Sequence, residues 1–234
     1  MSIDALPPEA TAAQAASSTP TGAMIRTLGL VSAICGLIIV SSYQGTLSAV
    51  QANKQIAVER AVFKVLPEAK SIVEYQVTPS GVSVITGELP AGAVKFFGAY
   101  DDAGKLNGIA AEGGAKGYGD TVRVLFGYKL DCQCVVGFGV VSMRETPGIG
   151  DKILTDKDFL ANFVALDAQL NKELSGLANE VKTVKHGTKT KAWEIDAIAG
   201  ATITSRAVGR AINQSAQALL PLVVPQLDKI RTKS

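Results

Sequence analysis

T-V-R-V-L-F-G-Y-K-L-D-C-Q-C-V-V-G-F-G-V-V-S-M, residues 121–143, holds two strand-like runs joined across Lys129–Asp131. In the first run Val122, Val124, Phe126 and Tyr128 recur at period two, which puts them on one face of a strand. The second run is long enough to pair with it across the short turn. Further strand-like segments lie upstream: S-I-V-E-Y-Q-V (71–77), G-V-S-V-I-T (81–86), V-K-F-F-G-A-Y (94–100) and, after the turn D-D-A-G-K (101–105), a strand around Leu106–Ala111. Strands that follow one another through short turns imply a mostly antiparallel sheet. Two helices follow. D-K-D-F-L-A-N-F-V-A-L (156–166) carries Phe159, Leu160, Phe163 and Leu166 on one side, and a second helix runs from about Ser205, with Val208, Ile212 and Leu219 at helical intervals, until Pro221 interrupts it. The predicted fold class is α+β: a mainly antiparallel sheet flanked by helices and preceded by one transmembrane helix.

That helix is read from the region before the sheet. Residues 1–24 are rich in Ala, Ser, Thr and Pro without a hydrophobic period, a composition that predicts a disordered tail. From Arg26 to Lys54 no formal charge occurs. Such a stretch exceeds the ~20 helical residues that cross a bilayer, and residues 25–46 are expected to be a retained anchor in the lipid bilayer. A cleaved signal peptide ending near L-S-A-V-Q-A and a buried core helix are the alternatives. Residues 47–67 carry apolar side chains at helical spacing and stop at Pro67, as a linking helix would. Residues 68–222 form the domain, and 223–234, with Lys229, Arg231 and Lys233, a solvated C-terminal tail. A short tail before the anchor and a large domain after it suggest an N-in, C-out protein.

Composition excludes several classes. The 234 residues carry a net charge of +2 with no basic stripe, so no nucleic-acid partner is expected. The one histidine, His186, lies in a polar loop among Lys185, Gly187 and Lys189 and is read as a surface residue. Metal sites and Ser/Cys–His hydrolysis therefore start low, and neither a metal site nor a catalytic residue is assigned. Cys35 sits in the apolar run, where a thiol behaves as a small hydrophobe. Cys132 and Cys134 are read as strand residues pointing to one face; a bond or a shared metal is open to them, but two reduced cysteines is the favoured reading.

Three motifs could carry chemistry. R-E-T-P-G-I-G-D (144–151) is a turn leaving a strand, shaped by Pro147, Gly148 and Gly150, and it presents Glu145 and Thr146 where ligands are commonly met. G-G-A-K-G-Y-G-D (113–120) is read as a flexible β-connection; it lacks the G-K-[ST] ending of a P-loop and the strand-then-helix setting of a dinucleotide fingerprint. A-G-A-T-I-T-S-R-A-V (199–208) opens the last helix. Thr204 or Ser205 would cap that helix. Capping leaves Thr202 unexplained. It stands beside Gly200 and Ala201 where free backbone N–H groups and the helix dipole favour an anion, and its hydroxyl would be the nearest nucleophile for an ester to a bound phosphate.

Asp196-Ala-Ile-Ala-Gly-Ala-Thr202-Ile-Thr-Ser, with Glu145-Thr-Pro-Gly-Ile-Gly-Asp151 and Gly117-Tyr-Gly-Asp120, resembles the FMN-binding domain family over residues 25 to 220. Within that family the motif order, the anchor and the length look most like the G subunits of Rnf ion-translocating electron-transport complexes; C subunits of Na+-translocating NADH:quinone reductases are close relatives. The resemblance implies an FMN joined to Thr202 by a phosphoester bond and installed from FAD by a separate flavin transferase, with Asp196 part of its signal. It implies a cofactor site of Gly200, Ala201, Thr202, Ile203, Thr204 and Ser205, with Glu145, Thr146, Pro147, Gly148 and Tyr118 beside it. Other membrane subunits of an Rnf-type complex would be the partners, in a bacterial inner membrane crossed once, with the C-terminal domain on the periplasmic side. Ala199 departs from the Ser or Thr usual before Gly-Ala-Thr. The alternatives are the quinone-reductase C subunit and an unflavinylated anchored scaffold or binding module.

Overall fold

The computed structural model describes residues 21–87 and 89–232, and the chain divides into two units, Met1–Ala52 and Asn53–Ser234. The expected tail at 1–24 lies outside the described residues up to residue 20; its last four residues are helical, because α1 (Thr21–Val65) starts at Thr21. In the first unit this helix is apolar on every side. Leu28, Ile34, Leu37, Ile39 and Val40 are all exposed, and the helix is long and apolar enough to cross a membrane. None of its most apolar stretch is buried, whereas a core helix would be mostly buried. It is a candidate membrane anchor.

The second unit opens with the end of α1, which stops at Val65 just before Pro67. There follow β1 (Ser71–Thr78), β2 (Gly81–Val84), β3 (Val94–Tyr100), β4 (Leu106–Lys116), β5 (Thr121–Lys129), β6 (Cys134–Ser142), α2 (Lys157–Ala161), β7 (Leu166–Asp167), β8 (Lys182–Val184), β9 (Glu194–Asp196) and α3 (Thr202–Val223). Strands β1 to β7 form one antiparallel sheet in the order β2-β1-β3-β4-β5-β6-β7, and β8 and β9 pair in parallel. The α+β reading therefore holds. β5 is an inner strand, with Ala111 of β4 opposite Phe126 on one side and Phe138 of β6 opposite it on the other.

Period two decides what each face of β5 buries. Val122, Val124, Phe126 and Tyr128 pack with Val208, Ile212 and Leu219 of α3. Leu125 points the other way, into a second cluster with Val62 and Val65 from the end of α1, Leu66 just after it, and Phe97 and Ala110 of the sheet. The sheet is thus covered on both faces. α3 crosses β4 at Gly113, where a Cβ would stand 2.2 Å from the Ala211 carbonyl oxygen. The glycine-rich stretch 113–120 is accordingly half strand and half hairpin turn rather than a flexible connection.

Four expectations need correction. The helix predicted over 156–166 ends at Ala161, because the Asn162 amide takes the carbonyls of Asp158 and Phe159. Its aromatic residues are buried regardless, Phe159 and Phe163 packing edge-on beside Phe138. α3 begins at Thr202, three residues early, and continues past Pro221 to Val223. The C-terminal segment is not a solvated tail: a 3-10 helix (Val224–Ile230) follows α3, Ile230 is buried, and the Tyr100 hydroxyl donates to its carbonyl at 3.0 Å. Finally, Cys132 lies in the hairpin turn and is disulfide-bonded to Cys134, so neither is a reduced strand thiol.

Candidate functional site

The start of α3 is built on β9. After Asp196 the chain turns back, with the Ala201 N–H donating to the Ile198 carbonyl at 3.1 Å and Gly200 at φ +83°, a conformation that favours glycine. Ser205 fastens this turn from beneath. It is fully buried; its hydroxyl donates to the Ala201 carbonyl at 2.9 Å and accepts from the Ile198 N–H at 3.1 Å. The expected cap is not made. Ala201 occupies the N-cap position, and among the described residues no side chain makes a capping hydrogen bond to the first N–H groups. The first intrahelical bond runs from the Ser205 N–H to the Ala201 carbonyl, so the N–H groups of Thr202, Ile203 and Thr204 precede the hydrogen-bonded ladder.

The second wall comes from the loop after β6. The N–H groups of Ile149 and Gly150 both donate to the Thr146 carbonyl, closing a turn through Pro147 and Gly148. That turn aims Glu145 inward. Its carboxylate accepts from the Thr204 hydroxyl at 2.7 Å, the Gly119 N–H at 3.2 Å and the Tyr118 N–H at 3.4 Å. One side chain thus ties α3, the β4–β5 hairpin and its own loop together. Space for this is made by glycines. A Cβ on Gly117 would lie 2.3 Å from Glu145 Oε1, one on Gly150 2.6 Å from Glu145 Cβ, and one on Gly119 2.2 Å from the Arg144 carbonyl oxygen. Gly117 and Gly150 thus make room for the glutamate itself and Gly119 for the backbone just before it, whereas Gly148 is set by its turn at φ +75°.

Between these walls lies a cleft of about 380 Å³, within the size range of small-molecule sites. Of the twelve site residues expected from sequence, Tyr118, Glu145, Thr146, Gly200, Ala201, Thr202, Ile203 and Thr204 line it. Pro147, Gly148 and Ser205 do not: the first two shape the turn and the third lies beneath the helix start. Asp196 faces a different cleft of about 510 Å³, shared with Lys152, Asp156 and His186, on the far side of the 197–201 turn. Its Oδ2 accepts from the Gly187 N–H at 3.0 Å, while Oδ1 is buried without a partner among the described residues. His186 is largely exposed and donates from Nδ1 to the Ala197 carbonyl. Sequence reading missed Ile149 and Gly150 as lining residues; the signal for them was the glycine spacing around Glu145.

The cleft's chemistry is asymmetric. Tyr118, Ile149 and Ile203 are large and exposed at its rim, and among the described residues Glu145 is the one charged side chain that lines it. The helix start offers open N–H donors and the positive end of a 22-residue helix. The Thr202 hydroxyl lines the cleft and has no hydrogen-bond partner among the described residues. An anion at one end and a flat, partly apolar group beyond it match this arrangement.

A profile of the FMN-binding domain family matches residues 117–217. The G subunit of the ion-translocating oxidoreductase complex of Methanosarcina acetivorans is 26% identical over 198 residues, covering 82% of this chain and 90% of that one. The G subunit of the same complex from Cereibacter sphaeroides is 30% identical over 156 residues, covering 66% of this chain and 67% of that one. Among solved structures, the C subunit of the Na+-translocating NADH-quinone reductase from Parabacteroides distasonis shares the fold at a TM-score of 0.58, with 18% identity over 77% of this chain and 98% of that one.

Proposed function

This chain belongs to the FMN-binding domain family, among the G subunits of ion-translocating oxidoreductase complexes, and we propose that it is the FMN-bearing electron-transfer subunit of an Rnf-type complex. The observation that carries this reading is the uncapped start of α3 opening, with the Thr202 hydroxyl, into the cleft that Glu145 and Thr146 wall.

The residues present fit FMN. The phosphate end matches the open N–H groups of Thr202, Ile203 and Thr204 and the helix dipole. The ring end matches the rim formed by Tyr118, Ile149 and Ile203. When bound, the isoalloxazine supplies reversible electron uptake, and the protein supplies position and environment. Thr202 Oγ is the proposed point of covalent attachment. The Oγ–P ester bond forms as the phosphoanhydride of FAD breaks, AMP leaves, and the hydroxyl proton passes to solvent. A separate flavin transferase performs this step, and Asp196, across the 197–201 turn, belongs to the surface it reads. Glu145 holds the helix start in register by taking the Thr204 hydroxyl.

The other membrane subunits of the complex are the proposed partners, with α1 as the anchor in a bacterial inner membrane. The proposed side for the C-terminal unit is the periplasm; the Cys132–Cys134 disulfide, suited to an oxidising compartment, supports that side. G-subunit identity is preferred to the quinone-reductase C subunit because the likeness to the latter is one of fold.

The test is a denaturing gel viewed under ultraviolet light, with the full chain purified from a host that supplies the transferase. A fluorescent band is expected, absent from Thr202→Val, and intact mass should show one FMN moiety per chain. A dark wild-type band of unmodified mass overturns the proposal and leaves an anchored binding module.

A further inference from the structure

The tip of the β5–β6 hairpin carries a second chemical feature, remote from the cleft. Cys132 and Cys134 are joined there across one residue. The hairpin does not need the bond to close: Lys129 and Cys134 are already register partners, and the Gln133 N–H donates to the Leu130 carbonyl at 3.3 Å. Stabilisation from a disulfide grows with the length of chain it encloses, and this one encloses almost none. Its residues are also unequal. Cys132 is exposed, whereas Cys134 is 4% exposed and paired with Asp167 of β7. Gln133 between them sits at φ +50°, in the left-handed region that a side chain of its size seldom adopts. Its carbonyl accepts from the Ala168 N–H at 3.1 Å, which ties the tip to the chain after β7.

A bond that stabilises little and joins an exposed cysteine to a buried one is arranged for exchange rather than for support. We propose that Cys132 and Cys134 form a thiol–disulfide exchange site, entered through Cys132 by a dithiol reductant. The incoming thiolate attacks Cys132 Sγ, the Cys132–Cys134 bond breaks, and Cys134 leaves as a thiolate that takes a proton from solvent. The reductant's second thiol then attacks the mixed disulfide, so that the reductant is oxidised to its own disulfide and the protein holds two thiols. A monothiol stalls at the first step, because Cys134 remains beside the mixed disulfide and expels it. The partner class is therefore a dithiol, small or protein-borne. Reduction releases Gln133 from its constrained conformation and loosens the pairing of β6 with the two-residue β7. The site lies at the start of β6 and the cleft beyond its end, about 30 Å away for nine residues of strand, so it works independently of any flavin.

The test uses the full chain in detergent with Cys35→Ser, so that every titrated thiol belongs to the pair. Protein is incubated with dithiothreitol under native conditions, quenched in acid and labelled with a maleimide for mass analysis. Two labels are expected, at a rate within about tenfold of that in denaturant, and oxidised dithiothreitol should remove them again. Labelling only in denaturant, or two labels without reductant, overturns the proposal. The direction of attack is checked with single variants and oxidised glutathione. Cys134→Ser is expected to take one adduct at Cys132, and Cys132→Ser to take none until unfolded. The reverse pattern refutes entry through Cys132.

Discussion

Removing the Glu145 carboxylate tests whether one side chain holds the cleft together. In Glu145→Ala the Thr204 hydroxyl loses its acceptor while only 2% exposed, and a buried unsatisfied hydroxyl costs about 1–3 kcal/mol. The Gly119 and Tyr118 N–H groups are at exposed positions and regain water, so each adds only about 0.5 kcal/mol. The total is about 2–4 kcal/mol, read from urea unfolding of the full chain in detergent by the fluorescence of Trp193. The coupling is more telling than the total. Thr204→Val should cost about 1–2 kcal/mol in the parent chain. In Glu145→Ala it should cost nothing or stabilise, since it replaces an unpaired buried hydroxyl with a methyl of the same shape. Additive effects, with a coupling below about 0.5 kcal/mol, would refute the claim that the carboxylate fastens the start of α3.

Gly119→Ala places a Cβ 2.2 Å from the Arg144 carbonyl oxygen, an atom that cannot rotate away; a loss of about 1–3 kcal/mol is expected in the same unfolding assay. Truncation after Val223 removes buried Ile230, the Tyr100 hydroxyl bond and the bond from the Leu106 N–H to the Arg231 carbonyl; a loss of about 3–5 kcal/mol in urea unfolding follows from burial and hydrogen bonding together. Burial, and then the charge of Asp167, push the Tyr128 phenol up to about 12. Its unfolded counterpart ionises near 10, so the unfolded state sheds its proton first and stability falls as pH rises from about 10 to 12, by about 2.7 kcal/mol. Tyr128→Phe should remove that part of the alkaline slope in urea midpoints taken from pH 9 to 12, leaving the part due to Tyr100, which burial and the Tyr75 hydroxyl also raise.

Much of the fold was legible because β-strands announce themselves by period two. The hairpin of β5 and β6 and the face carrying Val122 to Tyr128 stand where alternation placed them. What alternation did not reveal is that Leu125 is also buried, since that requires the end of α1 on the opposite face. Helix ends were less legible. Thr202, Ile203 and Thr204 are two hydroxyl residues around a β-branched one, weak helix formers that read as a turn, yet tertiary contacts make them the first turn of α3. Phe159, Phe163 and Leu166 are spaced as a helix would space them, but Asn162 consumes the carbonyls and stops it. The cysteine pair was misread because a strand puts alternate residues on one face; the left-handed Gln133 turns them toward each other instead. At the site, the residue types named their own chemistry, while the division of labour between Glu145, the glycines and Asp196 needed the three-dimensional arrangement.

An uncapped helix start is a standing cost, and on the function proposed above it has a measurable counterpart. Among the described residues no side chain satisfies the three open N–H groups of α3, although a serine or threonine at a helix cap typically adds about 1 kcal/mol. Glu145, the nearest anion with a hydrogen bond to this turn, bonds the Thr204 hydroxyl instead of the amides. The donors stay available for an anion such as the singly charged phosphodiester of a threonine-linked FMN. A phosphoester on Thr202 would satisfy them with charge-assisted bonds and complement the dipole, together about 1–3 kcal/mol. Full chain purified from hosts with and without the transferase should therefore differ in urea midpoint, the loaded protein being the more stable by that amount. Thr202→Val should unfold identically from both hosts. Equal midpoints for loaded and unloaded wild type would mean that the amides contribute nothing to holding the phosphate, and the exposed helix start would need another explanation.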